Sequence, residues 1–309
     1  MEQLRPSLGA LPNEILIQIL AHFPTRQVLA LATLSHRFHD LVGRLHYSRL
    51  VEASSLRDHV LVLECYHPSV KIMTPTLQCE YLGTDKIDDI GRDASLTKLK
   101  SLYSRFRPRG PPREDRASAW RNRRFSATSM SSTSTPVDED GDDDGRDLSH
   151  DLFLDSGELF SQLCTQTSII KVDPKRKLFL SIASVTEGVI RVWREWLQVQ
   201  SQLSSATPAT TPAQPSTSTV LAKRSADDKH SVILWTDVLT ENVGIKFRVV
   251  EKEVKDAPVL VGPNDEPPVA YTLEYEELLV RTNALLLSLE RSLAQQVTHA
   301  GNAVVIASR

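Results

Sequence analysis

The sequence lacks any apolar run close to the roughly 18 residues that a membrane-spanning helix needs, so we expect no membrane segment. It also lacks a charged N-terminal region followed by an apolar one, and we therefore expect no secretory signal peptide. The three cysteines, Cys65, Cys79 and Cys164, are odd in number and widely spaced, which indicates buried free thiols rather than disulfides or zinc ligands. These absences predict a protein of the cytoplasm, the nucleus or both.

Signals of catalysis are missing as well. There is no Gly-rich phosphate loop, no Gly-x-Ser-x-Gly and no His-Glu-x-x-His, and 12 glycines offer little material for such loops. His36 and His39 have the spacing of metal ligands, but no Cys or further His lies nearby to complete a zinc site. We therefore expect a non-catalytic protein that has no cofactor and binds no metal.

Large apolar side chains are scarce in two stretches of the chain. Aromatic residues make up only 6% of the sequence, so part of the chain cannot bury enough surface to fold. Residues 95–147 hold eight arginines between Arg105 and Arg124, then a Ser/Thr-rich run and an acidic block. Residues 201–230 are rich in Ser, Thr and Pro. We predict that both stretches are disordered insertions.

The arginine run has an alternative interpretation. Aromatic residues lie between the arginines, as they do in proteins that bind single-stranded nucleic acid. The acidic block can neutralise the arginines within the chain, and the net charge is −3, so we expect no nucleic-acid partner. Ser126 follows Arg123-Arg124-Phe125 and is a candidate phosphosite for a basophilic kinase.

The beginning of the chain has a different pattern, which predicts three short helices. Pro12 suits the first turn of a helix, because a proline lacks the N–H that would have no partner there. The apolar residues that follow have the period of an α-helix: Ile15, Leu16, Ile19, Leu20 and Phe23. Pro24 ends this helix, Thr25 can cap the second and Ser35 can cap the third. Because about 40 residues bury too little surface to be firmly stable alone, such a unit requires a partner.

This order of residues resembles the F-box, which binds the Skp adaptor of cullin-based ubiquitin ligases. The family pattern opens with Leu-Pro-x-Glu-Ile/Leu, which residues 11–16 match, and continues to an Ile-Leu pair at residues 19–20. Ser35 and Phe38 match the start of the third helix, although the family usually has Trp at the second of these positions. The resemblance implies that the Skp adaptor and a cullin scaffold are partners of this chain.

The resemblance also implies which side chains face the adaptor. They are apolar residues of the first two helices, together with a partly structural Phe at the start of the third: Leu11, Pro12, Ile15, Leu16, Ile19, Leu20, Val28, Leu29, Leu31 and Phe38. The chain would then be the substrate-recognition subunit of a Skp–cullin–F-box ligase that brings a protein substrate to the ubiquitin-conjugating enzyme by proximity. Two alternatives stay open. One is an F-box protein that acts in assembly outside a ligase, and the other is a scaffold whose N-terminal helices pack against their own chain.

Short runs with β-like alternation dominate the rest of the chain. The predicted strands cover residues 59–66, 70–74, 77–82, 168–172, 178–182, 189–197, 231–235, 243–251 and 269–275. A short amphipathic helix is predicted over residues 152–163, with Ser156 as its cap. A longer helix is predicted over residues 276–297, and its broad leucine face must cover other residues.

Together these segments predict an α+β fold. The predicted parts are an F-box at 8–50, β-rich segments at 51–94, 148–200 and 231–309, and the two insertions at 95–147 and 201–230. Each β-rich segment carries too few strands to be stable alone, so we expect one antiparallel sandwich or curved sheet with the last helix packed against it. Residues 71–82 faintly resemble a strand of the phloem-lectin sandwich, a galactose-binding-like fold found behind some F-boxes; no sugar-binding residue is carried over.

The candidate substrate-binding residues are Trp193, Trp196 and Trp235. Three indoles in the β-rich region can form a recognition surface, because Trp combines a large apolar area with an N–H donor. The alternative is that most of them are core residues. Trp193 and Trp196 are three positions apart, so a strand would place them on opposite faces and a helix on nearly the same face.

Overall fold

The structure is a computed structural model that describes residues 11–69, 76–85, 87, 95–110, 148–173, 179–206, 232–253 and 266–298. In this part of the chain, three N-terminal helices precede an antiparallel sheet, and a C-terminal helix contacts both. The predicted α+β fold class is confirmed. Of the helices that the structure describes, none combines the length and the hydropathy needed to span a bilayer.

The N-terminal helices are α1 (Asn13–Ala21), α2 (Thr25–Leu31) and α3 (His36–Ser54). Ser35 caps α3 as predicted, because its hydroxyl accepts a hydrogen bond from the backbone N–H of Phe38 at 3.3 Å. Thr25 does not cap α2, so that prediction is wrong. Thr25 is already the first helical residue, and the capping position belongs to Pro24, whose side chain has no acceptor.

The β-rich region follows these helices. Its described strands are β1 (His59–Tyr66), β2 (Leu77–Thr84), β3 (Tyr103–Arg109), β4 (Ser149–Leu154), β5 (Phe160–Val172), β6 (Phe179–Trp193), β7 (Ile233–Trp235), β8 (Val243–Lys252) and β9 (Val269–Arg281). Its described helices are α4 (Leu96–Lys100), α5 (Arg194–Ala206) and α6 (Thr282–Thr298).

The strands form one nearly closed antiparallel sheet. Its order is β6-β5-β1-β2-β3-β9-β8-β7, and β4 pairs with the part of β9 that β3 leaves free. Strands from all three predicted β-rich segments therefore lie in the same sheet. Its edges approach each other at Gly188 of β6, where an added Cβ would lie 2.8 Å from the carbonyl oxygen of Thr236, just after β7. Only a glycine permits so close an approach.

The main core lies inside this curled sheet. Inward-facing residues alternate along the strands, and Leu61, Leu63 and Cys65 of β1 are buried there. Helix α5 adds Trp196 and Leu197 to the same core. The three cysteines are free, and burial raises the pKa of the Cys65 thiol to about 11, so this thiol is protonated at neutral pH.

The first predicted insertion begins too early. The prediction that residues 95–147 are disordered is wrong for α4 and for β3, which pairs with β2 and β9 within the sheet. Arginines dominate the composition of β3, but Phe106 between them is fully buried. The ion pair between Arg105 and Glu277 of β9 compensates one of the exposed charges. Residues 111–147 lie outside the described residues.

The second predicted insertion also begins too early, because α5 continues through residues 201–206. The strand predicted over residues 189–197 ends at Trp193, where this helix follows directly. Residues 207–231 lie outside the described residues, as do residues 70–75, which include one predicted strand and the first five residues of the lectin-like motif.

Two helix predictions are corrected by the structure. The helix predicted over residues 152–163 is instead the end of β4, a turn and the start of β5. The reason is that Leu152 and Leu154 face inward with a period of two, and Gly157 turns the chain with a φ of 77°. The C-terminal helix starts at Thr282 rather than at Glu276, because β9 continues to Arg281.

Candidate functional site

The three N-terminal helices share a small apolar core of their own. Leu20, Val28, Val42 and Leu45 are buried in it, and partly buried side chains of all three helices pack around them: Ile17, Leu29, Leu31, Ala32 and Phe38. Arg37 of α3 also donates a hydrogen bond to the Asn13 side chain at 2.8 Å, which ties the start of α3 to the start of α1. The inner faces of the helices are thus occupied within the unit.

The outer side of α1 and the residues just after it carry exposed large apolar side chains. Ile15, Ile19 and Phe23 follow each other at intervals of four residues and are 42%, 39% and 45% exposed. We call these three residues the apolar stripe. Leu34, just after α2, is 65% exposed. Rows of exposed apolar side chains mark surfaces that bind other proteins.

The structure divides the ten side chains assigned to the adaptor into three groups. Buried ones are Leu16, Leu20 and Val28. Half-buried ones are Leu11, Leu29, Leu31 and Phe38. Exposed ones are Pro12, Ile15 and Ile19. Phe23 and Leu34 are exposed as well but were not among the ten. The four-residue spacing from Ile19 to Phe23 could have indicated that Phe23 lies on the same side as Ile19.

Charged side chains hold the corner between α1 and α2. Arg49 of α3 donates hydrogen bonds to the carbonyl oxygens of Ala21 and Phe23, at 3.0 and 2.7 Å. Glu290 of α6 accepts hydrogen bonds from the backbone N–H of Thr25, at 3.1 and 3.2 Å to its two oxygens, and from the Thr25 hydroxyl at 2.5 Å. Arg49 and Glu290 lie 3.5 Å apart and form an ion pair. The end of α1 and the start of α2 are thus fixed by two opposite charges.

The comparison with known families agrees with this geometry. A family model for F-box-like domains matches residues 8–52. Residues 8–52 are therefore an F-box-like domain. F-box domains are generally non-catalytic interaction modules that bind the Skp adaptor. No curated protein and no solved structure matches the chain, and the region after the F-box is not assigned to a family.

A second apolar cluster joins the F-box to the β-rich region. Leu50 and Ala53 of α3 pack with Leu286 of α6, with Leu99 of α4 and with Leu102 just after α4. His46 lies in the same junction, where its Nε2 and the Asn283 Oδ1 are 2.7 Å apart. Burial lowers the pKa of His46 below its ordinary value, although the hydrogen bond to Asn283 opposes this effect. The F-box is therefore attached to the β-rich region by packing as well as by charge.

The three candidate tryptophans have three different environments. Trp193, at the end of β6, is 37% exposed, and its ring lies 5.1 Å from that of Phe160. Trp196 is buried in the sheet core. Trp235 on β7 is half-buried, with its ring 5.5 Å from that of Tyr103. Among them, Trp193 exposes the most indole surface.

The remaining candidates add no site to the described part of the chain. Ser126 lies outside the described residues. His36 and His39 are both exposed at the start of α3. Within the ranges that the structure describes, no group of three or more His, Cys, Asp or Glu side chains is placed to hold a metal ion.

Proposed function

We propose that this F-box protein is the substrate-recognition subunit of a Skp–cullin–F-box ubiquitin ligase. The apolar stripe binds the Skp adaptor, the adaptor brings the cullin scaffold, and the β-rich region holds a protein substrate. The observation that supports this function is the exposure of an apolar stripe on a helix whose opposite side is already buried in the F-box core. The F-box core takes the inner faces, and α6 takes the end of α3.

The stripe can supply a sizeable share of the binding energy. A fully buried Ile or Phe side chain contributes about 2–3 kcal/mol, and about two fifths of each stripe residue remains to be covered. Each residue therefore adds about 1 kcal/mol, and the three together strengthen binding roughly a hundredfold.

No residue of this chain needs to do chemistry in the proposed function. Ubiquitin transfer becomes faster because the substrate is held near the ubiquitin-conjugating enzyme, which raises its effective concentration. Trp193 is our candidate for substrate contact, because its indole is exposed beside Phe160 and Arg191, whose guanidinium lies 5.4 Å from the Phe160 ring centre. The protein would act in the cytoplasm, the nucleus or both.

The adaptor contact is tested with the double variant Ile15→Asp/Ile19→Asp in the full-length chain. Two carboxylates would have to lose water against an apolar partner, so we expect the affinity for the purified adaptor to fall more than a hundredfold. The matched control is Phe153→Asp/Val189→Asp, which places two charges on exposed apolar positions of the sheet, at 51% and 53% exposure. Unchanged adaptor binding by the stripe variant, measured by calorimetry, would contradict the proposal.

The alternative function is assembly outside a ligase, and it predicts a different set of co-purifying proteins. A ligase subunit brings down both adaptor and cullin from cells, and the purified complex transfers ubiquitin to a bound protein. An assembly factor brings down the adaptor without the cullin.

A further inference from the structure

We propose that Glu290 is a positioning residue of the F-box, so that adaptor binding depends on the folded C-terminal region. The claim that adaptor binding depends on Glu290 rests on the proposed function. The claim that Glu290 holds the start of α2 rests only on the contacts of this side chain.

The start of α2 has no cap within the F-box. The first N–H groups of a helix have no partner inside the helix, and a Ser, Thr, Asp or Asn before it usually accepts one of these hydrogen bonds. Here Pro24 occupies that place and makes no side-chain cap. Glu290 instead accepts from the N–H and the hydroxyl of Thr25, which is only 2% exposed. A carboxylate 265 positions away thus replaces the missing cap.

The signs of the charges at this corner match the helix dipoles. The N-terminus of a helix carries partial positive charge and the C-terminus partial negative charge. Glu290 lies at the start of α2, and Arg49 lies at the end of α1, bonded to the carbonyl oxygens of Ala21 and Phe23. Glu290 therefore stabilises the start of α2 and Arg49 the end of α1. Their ion pair links the two ends, and Arg49 also donates a hydrogen bond to the Thr25 hydroxyl at 2.8 Å.

Glu290 is itself held by the sheet. Five residues before it on α6, Leu285 is fully buried in the sheet core. Just after it, the Ser292 hydroxyl lies 2.6 Å from the Ser181 hydroxyl of β6 and 3.0 Å from Nε2 of His59 on β1. The carboxylate can therefore reach α2 only while α6 is packed on the folded sheet. If the sheet unfolds, α2 loses its cap.

This arrangement couples two parts of the protein. Helix α2 contributes Val28 to the F-box core and Leu29 and Leu31 to its border, so fraying of α2 lowers the fraction of F-box that is ready to bind. Coupling of binding free energies is reciprocal, so adaptor binding should also protect α6.

The expected effect is moderate. Loss of a helix cap typically changes the stability of the helix about fivefold. Glu290 is 27% exposed and lines a groove of about 800 Å³ between the F-box and α6, so water screens part of its charge. We expect Glu290→Ala to lower the hydrogen-exchange protection of the amides of residues 28–31 about fivefold. We expect the dissociation constant for the adaptor to rise twofold to fivefold.

The test uses the full-length chain and a matched control. Glu276→Ala removes a half-exposed glutamate that pairs with Lys246 on the outside of the sheet, at 2.7 Å, and should leave α2 unchanged. The variant Pro24→Asp places a local acceptor and a negative charge at the cap position. In the double variant Pro24→Asp/Glu290→Ala, the protection of residues 28–31 should return to near the wild-type level, which a purely packing role of Glu290 would not allow.

The outcomes separate this inference from the proposed function. The positioning role would be overturned if Glu290→Ala kept the wild-type hydrogen-exchange protection of residues 28–31, or if Pro24→Asp did not restore that protection in the double variant. Neither measurement needs the adaptor. Lost protection with an unchanged adaptor affinity would overturn the coupling. If the wild-type chain does not bind the adaptor at all, the proposed function fails while the exchange data still decide the role of Glu290.

Discussion

Leu285 and Leu286 are neighbours on α6, but their side chains enter different apolar clusters. Leu285 is fully buried in the sheet core, whereas Leu286 packs with Leu50 and Ala53 of the F-box. We predict that Leu285→Ala destabilises the β-rich region and that Leu286→Ala mainly loosens the F-box from α6. The two variants delete the same atoms one position apart, so each serves as the control for the other.

The magnitudes follow from the surroundings of each side chain. A buried Leu→Ala change costs about 2–5 kcal/mol, with the larger values where the neighbours cannot relax. Leu285 is enclosed by strands of the sheet, so we expect about 4 kcal/mol. Leu286 is 6% exposed at a contact between helices, so we expect about 2 kcal/mol. With a urea slope of about 3 kcal/mol per molar, Leu285→Ala lowers the unfolding midpoint by roughly 1 M.

Tryptophan fluorescence reports on the β-rich region, because none of the four tryptophans lies in the F-box. We expect a clear shift of the urea midpoint for Leu285→Ala and a much smaller shift for Leu286→Ala. Hydrogen exchange should show the reverse order for the amides of α3. Equal midpoint shifts for the two variants would refute the argument, since they would show that both clusters unfold as one unit.

Two further predictions concern buried polar groups. The pKa of His46 is lowered by burial, so the folded protein favours the neutral ring over the charged one. This stabilising contribution is present above pH 6.5, the ordinary value, and is lost as the pH falls below it. His46→Gln should therefore flatten the dependence of the unfolding free energy on pH between about 7.5 and 5.5, roughly the range of histidine titration. Arg194 is 3% exposed and donates to three carbonyl oxygens at 2.7–2.9 Å, and Arg194→Met should cost about 3 kcal/mol or more in urea unfolding, with Lys restoring only part. The carbonyl oxygens belong to Asp155, Glu158 and Pro267.

Local sequence predicts the elements whose pattern is set by their own side chains. The F-box helices follow from the period of Ile15, Leu16 and their successors, and Ser35 caps α3 as its position indicates. Strand β1 can likewise be predicted from its own residues, because its apolar run is bounded by turn residues. These elements required no knowledge of their neighbours.

Long-range contacts decide the elements that the sequence does not predict. The charges of β3 are tolerated because acidic residues of adjacent strands lie beside them, such as Glu80 of β2 next to Arg109. The segment around Leu278 fits a helix or a strand equally well, and its pairing with β3 and β8 selects the strand. The sequence could not show that Glu290 caps α2, because Glu290 lies 265 positions from Thr25 and only the folded chain brings the two residues together.

In the proposed function, packing against the same chain and binding the adaptor would use different surfaces of this F-box. Leu50 and Ala53 on α3 are buried against α6, while Ile15 and Ile19 on α1 are exposed. A unit of about 40 residues is marginally stable alone. Because the contact with α6 stabilises the F-box, the stripe residues do not have to be buried in the F-box core and can stay exposed. Changes at the α3–α6 junction should therefore lower the stability of the F-box first and adaptor binding only as a consequence. Changes in the stripe should weaken adaptor binding while the F-box stays folded.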